Sequence, residues 1–178
     1  RPDGRVVEDD PIAPVLFYGF AKAAQEALLG LYHRRGAIDL RVARIFNLSG
    51  PGEGQGSVLG TAAFQAVAGG PVRLGNLGAV RDFLDVRDAA VAFEILVELG
   101  EPGGIYNVGS GRGVAVGEVV ERVLAATGTV LEHDPSRDRP VDVPAIRADV
   151  GRLAALGFRP VFTLDDTVAA VVAAQGKE

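Results

Sequence analysis

The chain has no cysteine, methionine or tryptophan, and almost no lysine. Without cysteine there is no disulfide, no thiolate nucleophile and no thiolate metal site. The two histidines, His33 and His133, lie far apart with no carboxylate pattern beside them, so no bound metal is expected. Basic residues number 18 against 23 acidic ones, a formal net charge of -5. That balance speaks against a polyanionic partner, and no nucleic-acid binding is expected. No apolar run approaches the roughly 20 residues a membrane helix needs, and no secretory or transit signal opens the chain. The expectation is a cytoplasmic protein with no membrane partner. The sequence opens on Arg1-Pro2-Asp3-Gly4 without an initiator, so a fragment or processed product is expected.

What is present suits one globular unit. The 178 residues are 48% hydrophobic and 23% charged, ordinary for a folded domain and wrong for disorder. Residues 1–14 carry Pro2, Pro11 and Pro14 and read as loop. A helix is expected from about Val15 to Arg35, stopped by Gly36. Ile38–Phe46 reads as a strand with Leu40, Val42 and Ile45 buried. Ser57 is placed to cap a helix over about Val58–Ala68, and Asp88 one over Ala89–Leu99. Short strands are expected at Val72–Leu74, Ile105–Val108 and Val130–Glu132. Val116, Val119, Val120, Val123 and Leu124 have helical spacing. Residues 133–147 read as an irregular loop. Two closing helices follow, about Val150–Leu156 and Leu164–Ala174, with Thr163 and Asp166 spaced as a capping box. No repeat and no dividing linker is visible. The pattern is mixed α/β.

Of the 18 basic residues only Lys22 and Lys177 are lysines, and Lys22 follows Tyr18 by four positions. On a helix these two share one face. A free phenol, with a pKa of about 10, is a poor base at neutral pH. A neighbouring ammonium favours the phenolate and makes the group usable as an acid or base in alcohol/ketone chemistry. The plainer alternative is an aromatic ring packed on the stem of a surface lysine. Glu26, four residues beyond Lys22, reads as its helix partner. The turn Gly50-Pro51-Gly52-Glu53-Gly54-Gln55-Gly56 lacks the Gly-x-Gly-x-x-Gly of a dinucleotide cradle and is read as a flexible turn. Asp82, Asp85 and Asp88 are evenly spaced, but the expected reading is structural. Asp88 caps a helix, while Asp82 and Asp85 face solvent or pair with arginine.

Several segments, in order, resemble one family. Tyr18-Gly-Phe-Ala-Lys22-Ala-Ala-Gln-Glu26 is similar to the catalytic helix of the extended short-chain dehydrogenase/reductases, which include nucleotide-sugar epimerases, dehydratases and ketoreductases. Arg44-Ile-Phe-Asn47-Leu-Ser-Gly50-Pro51-Gly52 resembles its Arg-x-x-Asn-x-x-Gly-Pro-Gly turn. Arg81-Asp82-Phe83-Leu-Asp-Val86-Arg-Asp88 resembles its Arg-Asp-Phe-x-x-Val-x-Asp segment. Tyr106-Asn107-Val108-Gly109, Arg139-Pro140-Val141-Asp142 and Leu156-Gly157-Phe158 continue the likeness. The wording Gly75-Asn76-Leu77 before Arg81 is most similar to the branch that reduces GDP-4-keto-6-deoxymannose. Ala21 departs from the serine the family often carries before its lysine.

The resemblance implies a fold, a site and a reaction. The fold is α/β: the C-terminal part of a Rossmann-type parallel sheet plus a small mixed α/β substrate-binding region. The catalytic helix lies near residues 15–35, and most of the substrate region after residue 47. The N-terminal dinucleotide-binding half and the family's catalytic serine or threonine have no counterpart, so the chain alone is expected to show little activity. Tyr18 and Lys22 are implied as the catalytic pair and as cofactor contacts. Ile45 and Phe46 would border the nicotinamide of NAD or NADP. Asn47, Arg81 and Arg139 would bind the nucleotide-diphosphate sugar, guanidinium forks being matched to phosphate oxygens; Arg87, Arg137 and Arg147 are left as ion-pair arginines. The implied activity is reduction of a 4-keto nucleotide sugar. Close alternatives are a 4-epimerase and a 4,6-dehydratase, and a more distant one is an inactive nucleotide-sugar sensing subunit. The helix carrying Tyr18 and Lys22, with Leu28, Leu29 and Leu31, is compatible with a homodimer contact or with a buried core position.

Overall fold

A computed structural model describes residues 3–138 and 143–176. Among the described residues five strand pairs form, and four of them are parallel. β1 (Arg5–Val6) pairs with β10 (Arg147–Ala148), β2 (Val42–Ile45) with β7 (Ile105–Val108), β3 (Asn47–Ser49) with β6 (Phe83–Asp85), and β4 (Val72–Leu74) with β9 (Leu131–His133). β5 (Val80–Arg81) and β8 (Val114–Ala115) run antiparallel. Parallel neighbours need long crossovers. Four helices lie within them, α1 (Phe17–Arg34), α2 (Val58–Val67), α3 (Val86–Leu99) and α4 (Val116–Thr127), while α5 (Gly151–Ala155) and α6 (Leu164–Gln175) follow the last strand.

Among the described residues two apolar cores result. In the first, α2, α4 and α6 close over β4 and Phe83, with Leu59, Val72, Val119, Val123, Val168 and Val171 inaccessible or nearly so. In the second, α3 and α5 pack on β6 and β7 through Leu84, Leu96, Val108, Leu153 and Phe158. The short β2–β3 run passes alongside both, in register with β7 and then β6: Ile45 sits beside Val108, and Asn47 beside Phe83.

Several expectations change here. The opening segment is not all loop, because Arg5–Val6 pairs with the distant Arg147–Ala148. The strand expected over Ile38–Phe46 is shorter. Ala43 packs on the second core, but Ile45, on the same face two residues on, is 39% exposed, and Val42 is only half-buried. The strand at Val130–Glu132 begins one residue later. The third helix starts at Val86, not Ala89, and its cap is Asp85, whose carboxylate accepts the Arg87 N–H at 2.9 Å. Other expected caps hold. Ser57 Oγ accepts the Gly60 N–H at 2.9 Å, and Thr163 and Asp166 form a reciprocal capping box.

Candidate active site

The site begins with α1. Eighteen residues long, it has not one buried residue. Tyr18 is in its first turn, with Lys22 one turn on. Lys22 Nζ stands 5.6 Å from the centroid of the Tyr18 ring, so phenol and ammonium do share a face, and that face is open: Tyr18 is 74% exposed. Glu26 is not Lys22's partner. Its two oxygens are taken by Arg44 of β2, Nη2 to Oε1 at 2.6 Å and Nε to Oε2 at 3.0 Å. The geometric reason is that a guanidinium fork from the adjacent strand matches both carboxylate oxygens at once, and a helix ammonium meets one.

Residues Phe46 and Asn47 lie side by side between two cavities. Lys22, Glu26, Arg44 and Phe46 border a cavity of about 280 Å³, closed on one side by the segment from Val6 to Ile12. Asn47 and Arg81 border one of about 770 Å³. The glycine-rich turn forms part of the larger cavity's wall through Glu53, Gln55 and Gly56. Asn47 is exposed, and its N–H donates to the Asp82 carbonyl oxygen at 3.0 Å. Arg81 is half-buried and donates from Nη1 to the Val80 and Val143 carbonyl oxygens, each at 2.8 Å. The structure thus brings Asn47 and Arg81 to one cavity and Lys22 and Phe46 to the other. Tyr18 and Ile45 border neither. Arg139 lies outside the described residues.

The three aspartates are neither solvent-facing nor equivalent. Asp82 is fully buried and accepts four hydrogen bonds: from Ser110 N–H (2.7 Å), Ser110 Oγ (2.6 Å), Gly111 N–H (2.9 Å) and Ala148 N–H (3.0 Å). It ties β10 and the turn after β7 to the strand that presents Arg81. Asp85 is buried and held by Arg87, Nε to Oδ1 and Nη2 to Oδ2, both 2.8 Å, and by Thr167 Oγ1 at 2.7 Å. Burial pushes its carboxyl upward, but the bonds from Arg87 and Thr167 outweigh that and hold it below the ordinary value. Asp88, in the first turn of α3, accepts the Val161 and Phe162 N–H groups at 3.0 Å each. Each satisfied carboxylate is committed to structure.

Sequence reading also passed over two residues. Glu8, in the segment expected to be loop, is 6% exposed, and its Oε1 accepts the Asn107 N–H at 2.9 Å. Asn107 in turn donates from Nδ2 to the Val6 and Asp149 carbonyl oxygens. Together they seat the opening segment that walls the smaller cavity. A lone glutamate among prolines carries no periodic signal. Arg137, set aside as an ion-pair arginine, does pair with Asp134 at 3.1 Å, yet it also borders the larger cavity.

Comparison with known proteins shows the family of the chain. Residues 2–171 match the family described as GDP-mannose 4,6 dehydratase. A Pseudomonas aeruginosa GDP-6-deoxy-D-mannose reductase is 30% identical over 164 residues, covering 87% of this chain and 54% of its own length. A dTDP-glucose 4,6-dehydratase from Streptomyces griseus is 30% identical over 177 residues, 96% of this chain and 53% of that protein. The structure of RMD from Pseudomonas aeruginosa complexed with NADPH aligns with a TM-score of 0.82 at 30% identity, over 98% of this chain and 63% of that one.

The chain therefore belongs to the nucleotide-sugar-modifying NAD-dependent epimerase/dehydratase group of the short-chain dehydrogenase/reductases. It spans about half the length of the curated relatives it matches.

Proposed function

We propose that this chain supplies the catalytic helix and substrate-binding part of an NAD(P)-dependent enzyme that reduces a 4-keto nucleotide sugar, with a GDP sugar the preferred class. One observation carries the reading: Lys22 Nζ stands 5.6 Å from the Tyr18 ring on an open helix face. The preference for reduction rests on the wording Gly75-Asn76-Leu77 before Arg81, because the reductase and dehydratase relatives are equally similar at 30% identity. Support for the cofactor comes from the chemistry of the smaller cavity. Its ammonium is committed to no carboxylate among the described residues, and Phe46 offers an apolar wall beside it. Those two, with the Tyr18 hydroxyl, would hold the nicotinamide and its ribose. Bound there, the cofactor supplies the hydride.

The chain's own residues handle binding and the proton. Arg81, with Asn47, meets the diphosphate in the larger cavity, a site of adequate size for a nucleotide sugar. Arg139 is proposed to join them. The Tyr18 hydroxyl gives its proton to the oxygen at sugar C4 as the carbonyl becomes an alcohol. The Lys22 ammonium stands on the same helix face, 5.6 Å from the ring centroid. In the proposed whole enzyme, polypeptide that the relatives have and this chain does not cover binds the adenine and pyrophosphate. Two copies are proposed to meet through exposed apolar residues of α1, among them Leu28, Leu29 and Leu31.

The test is oxidation of NADPH by the full-length enzyme with GDP-4-keto-6-deoxymannose, followed at the reduced cofactor's absorbance band. Tyr18→Phe is expected to lower kcat by roughly 10²–10⁴-fold, the usual worth of a positioned acid, with sugar binding retained. Binding without turnover in the unmodified enzyme would sink the reading in favour of a sensing subunit.

A further inference from the structure

Glu26 lies one helical turn beyond Lys22, the spacing at which glutamate and lysine pair along a helix. Both side chains border the smaller cavity. They do not pair, because Arg44 holds both Glu26 oxygens, at 2.6 and 3.0 Å. Arg44 is itself fixed, its Nη1 donating to the Glu8 carbonyl oxygen at 2.8 Å. The pair is largely withdrawn from solvent, with side chains 24% and 20% exposed. Asp10, the other carboxylate bordering this cavity, accepts the Val7 N–H at 2.8 Å. Lys22, unclaimed by the carboxylate one turn below, stands against the Tyr18 ring one turn above.

We infer that Arg44 is a positioning residue for the Tyr18/Lys22 pair: by occupying Glu26, it keeps that carboxylate from drawing Lys22 away from the phenol. The functional consequence rests on the catalytic reading proposed above, while the geometric claim does not. A bidentate guanidinium fork outcompetes a single helix ammonium for a carboxylate. With the guanidinium removed, Glu26 is left partly desolvated and unpaired, a costly state. It then takes the cation four residues before it. Lys22 cannot point to both ends of its turn at once, so the phenol loses its neighbour.

The scarcity of lysine makes this measurable. Only Lys22 and Lys177 carry side-chain amines, so ¹³C-dimethylation, which retains the positive charge, gives two side-chain NMR signals beside that of the amino terminus. In the full chain, a nuclear Overhauser contact between the Lys22 Nζ methyls and the Tyr18 ring is expected. Arg44→Met loses it. Arg44→Met/Glu26→Gln regains it, because no carboxylate is left to compete. A merely structural role for Arg44 predicts loss in both variants. A contact that survives in folded Arg44→Met, or fails to return in the double variant, overturns the inference. Should Arg44→Met not fold, Glu26→Gln alone decides: a carboxylate already masked leaves the contact intensity unchanged, and a marked change overturns the idea. In the full-length enzyme the same variants are expected to lower kcat at least tenfold and then recover most of it. The full pattern of contacts without turnover, wild type included, supports the inference while removing the reductase reading.

Discussion

Asp82, Asp85 and Asp88 are one residue type at one spacing, and the fold gives them three different tasks. Asp82 receives four hydrogen bonds, Asp85 caps a helix and pairs with Arg87, and Asp88 receives the N–H groups of Val161 and Phe162. Asp85 gives the clearest residue-scale prediction. Its folded pKa is lowered, so the unfolded chain binds the proton more readily. The stabilisation it provides is therefore complete above the unfolded value, about 3.9, and lost as pH falls through the folded one. Asp85→Asn is expected to cost about 1–2 kcal/mol at pH 7 through the weakened cap and arginine pair. Urea unfolding of variant and wild type should converge as the pH falls below the folded value. A difference independent of pH would rule out the ion-pair account. Both Asp85 and Asp88 are good capping residues by type. Sequence placed the cap on Asp88 because the claim of residues 161–162 on that carboxylate is a contact across more than seventy positions.

Among the elements, α2 shows how a backbone contact shapes the site. A Cβ placed on Gly60 would run into the Gly54 carbonyl oxygen and lie 3.0 Å from that of Glu53. The helix thus carries glycine where the glycine-rich turn crosses it, and that turn walls the larger cavity. Alanine in place of glycine gains up to about 1 kcal/mol of helix propensity. Overpacking costs about 1–3 kcal/mol, and since the nearest clashing atom is a backbone carbonyl oxygen, the clash wins. Gly60→Ala is expected to lower the melting temperature by a few degrees. In the proposed enzyme it should also raise KM for the nucleotide sugar several-fold, with a smaller effect on kcat. An unchanged KM would mean that the turn does not shape the sugar site. Local signals such as the Ser57 and Thr163 caps were legible because both partners lie within three residues. The length of β2 was not, since Ile38–Leu40 look apolar enough to be strand but find no partner in β7, whose register begins at Val42.

For the molecule as a whole, α1 is the exception to the packing. It stands on the body through the Arg44–Glu26 pair and a few loop contacts, while Phe17, Phe20, Leu28 and Tyr32 remain exposed. An amphipathic pattern in sequence cannot distinguish a helix face meant for its own core from one meant for another surface. Among the described residues the cores lie elsewhere, and Leu28, Leu29 and Leu31 are exposed on this chain. If the proposed pairing of copies uses this face, Leu28→Glu removes about 1.5–3 kcal/mol of burial per copy. Self-association measured by sedimentation equilibrium should then weaken by at least roughly tenfold. No change in the dissociation constant would move the contact off α1.

By itself the sequence determined the α/β class, most helix positions and the shared face of Tyr18 and Lys22, because each follows from spacing within a turn or two of chain. The tertiary structure decided which partner each charge takes: Glu26 with Arg44, Asp88 with a distant loop, Asp82 with three backbone amides and a hydroxyl. Those choices depend on which strands and turns the fold brings within about 3 Å, a property of the packed chain that no local pattern encodes.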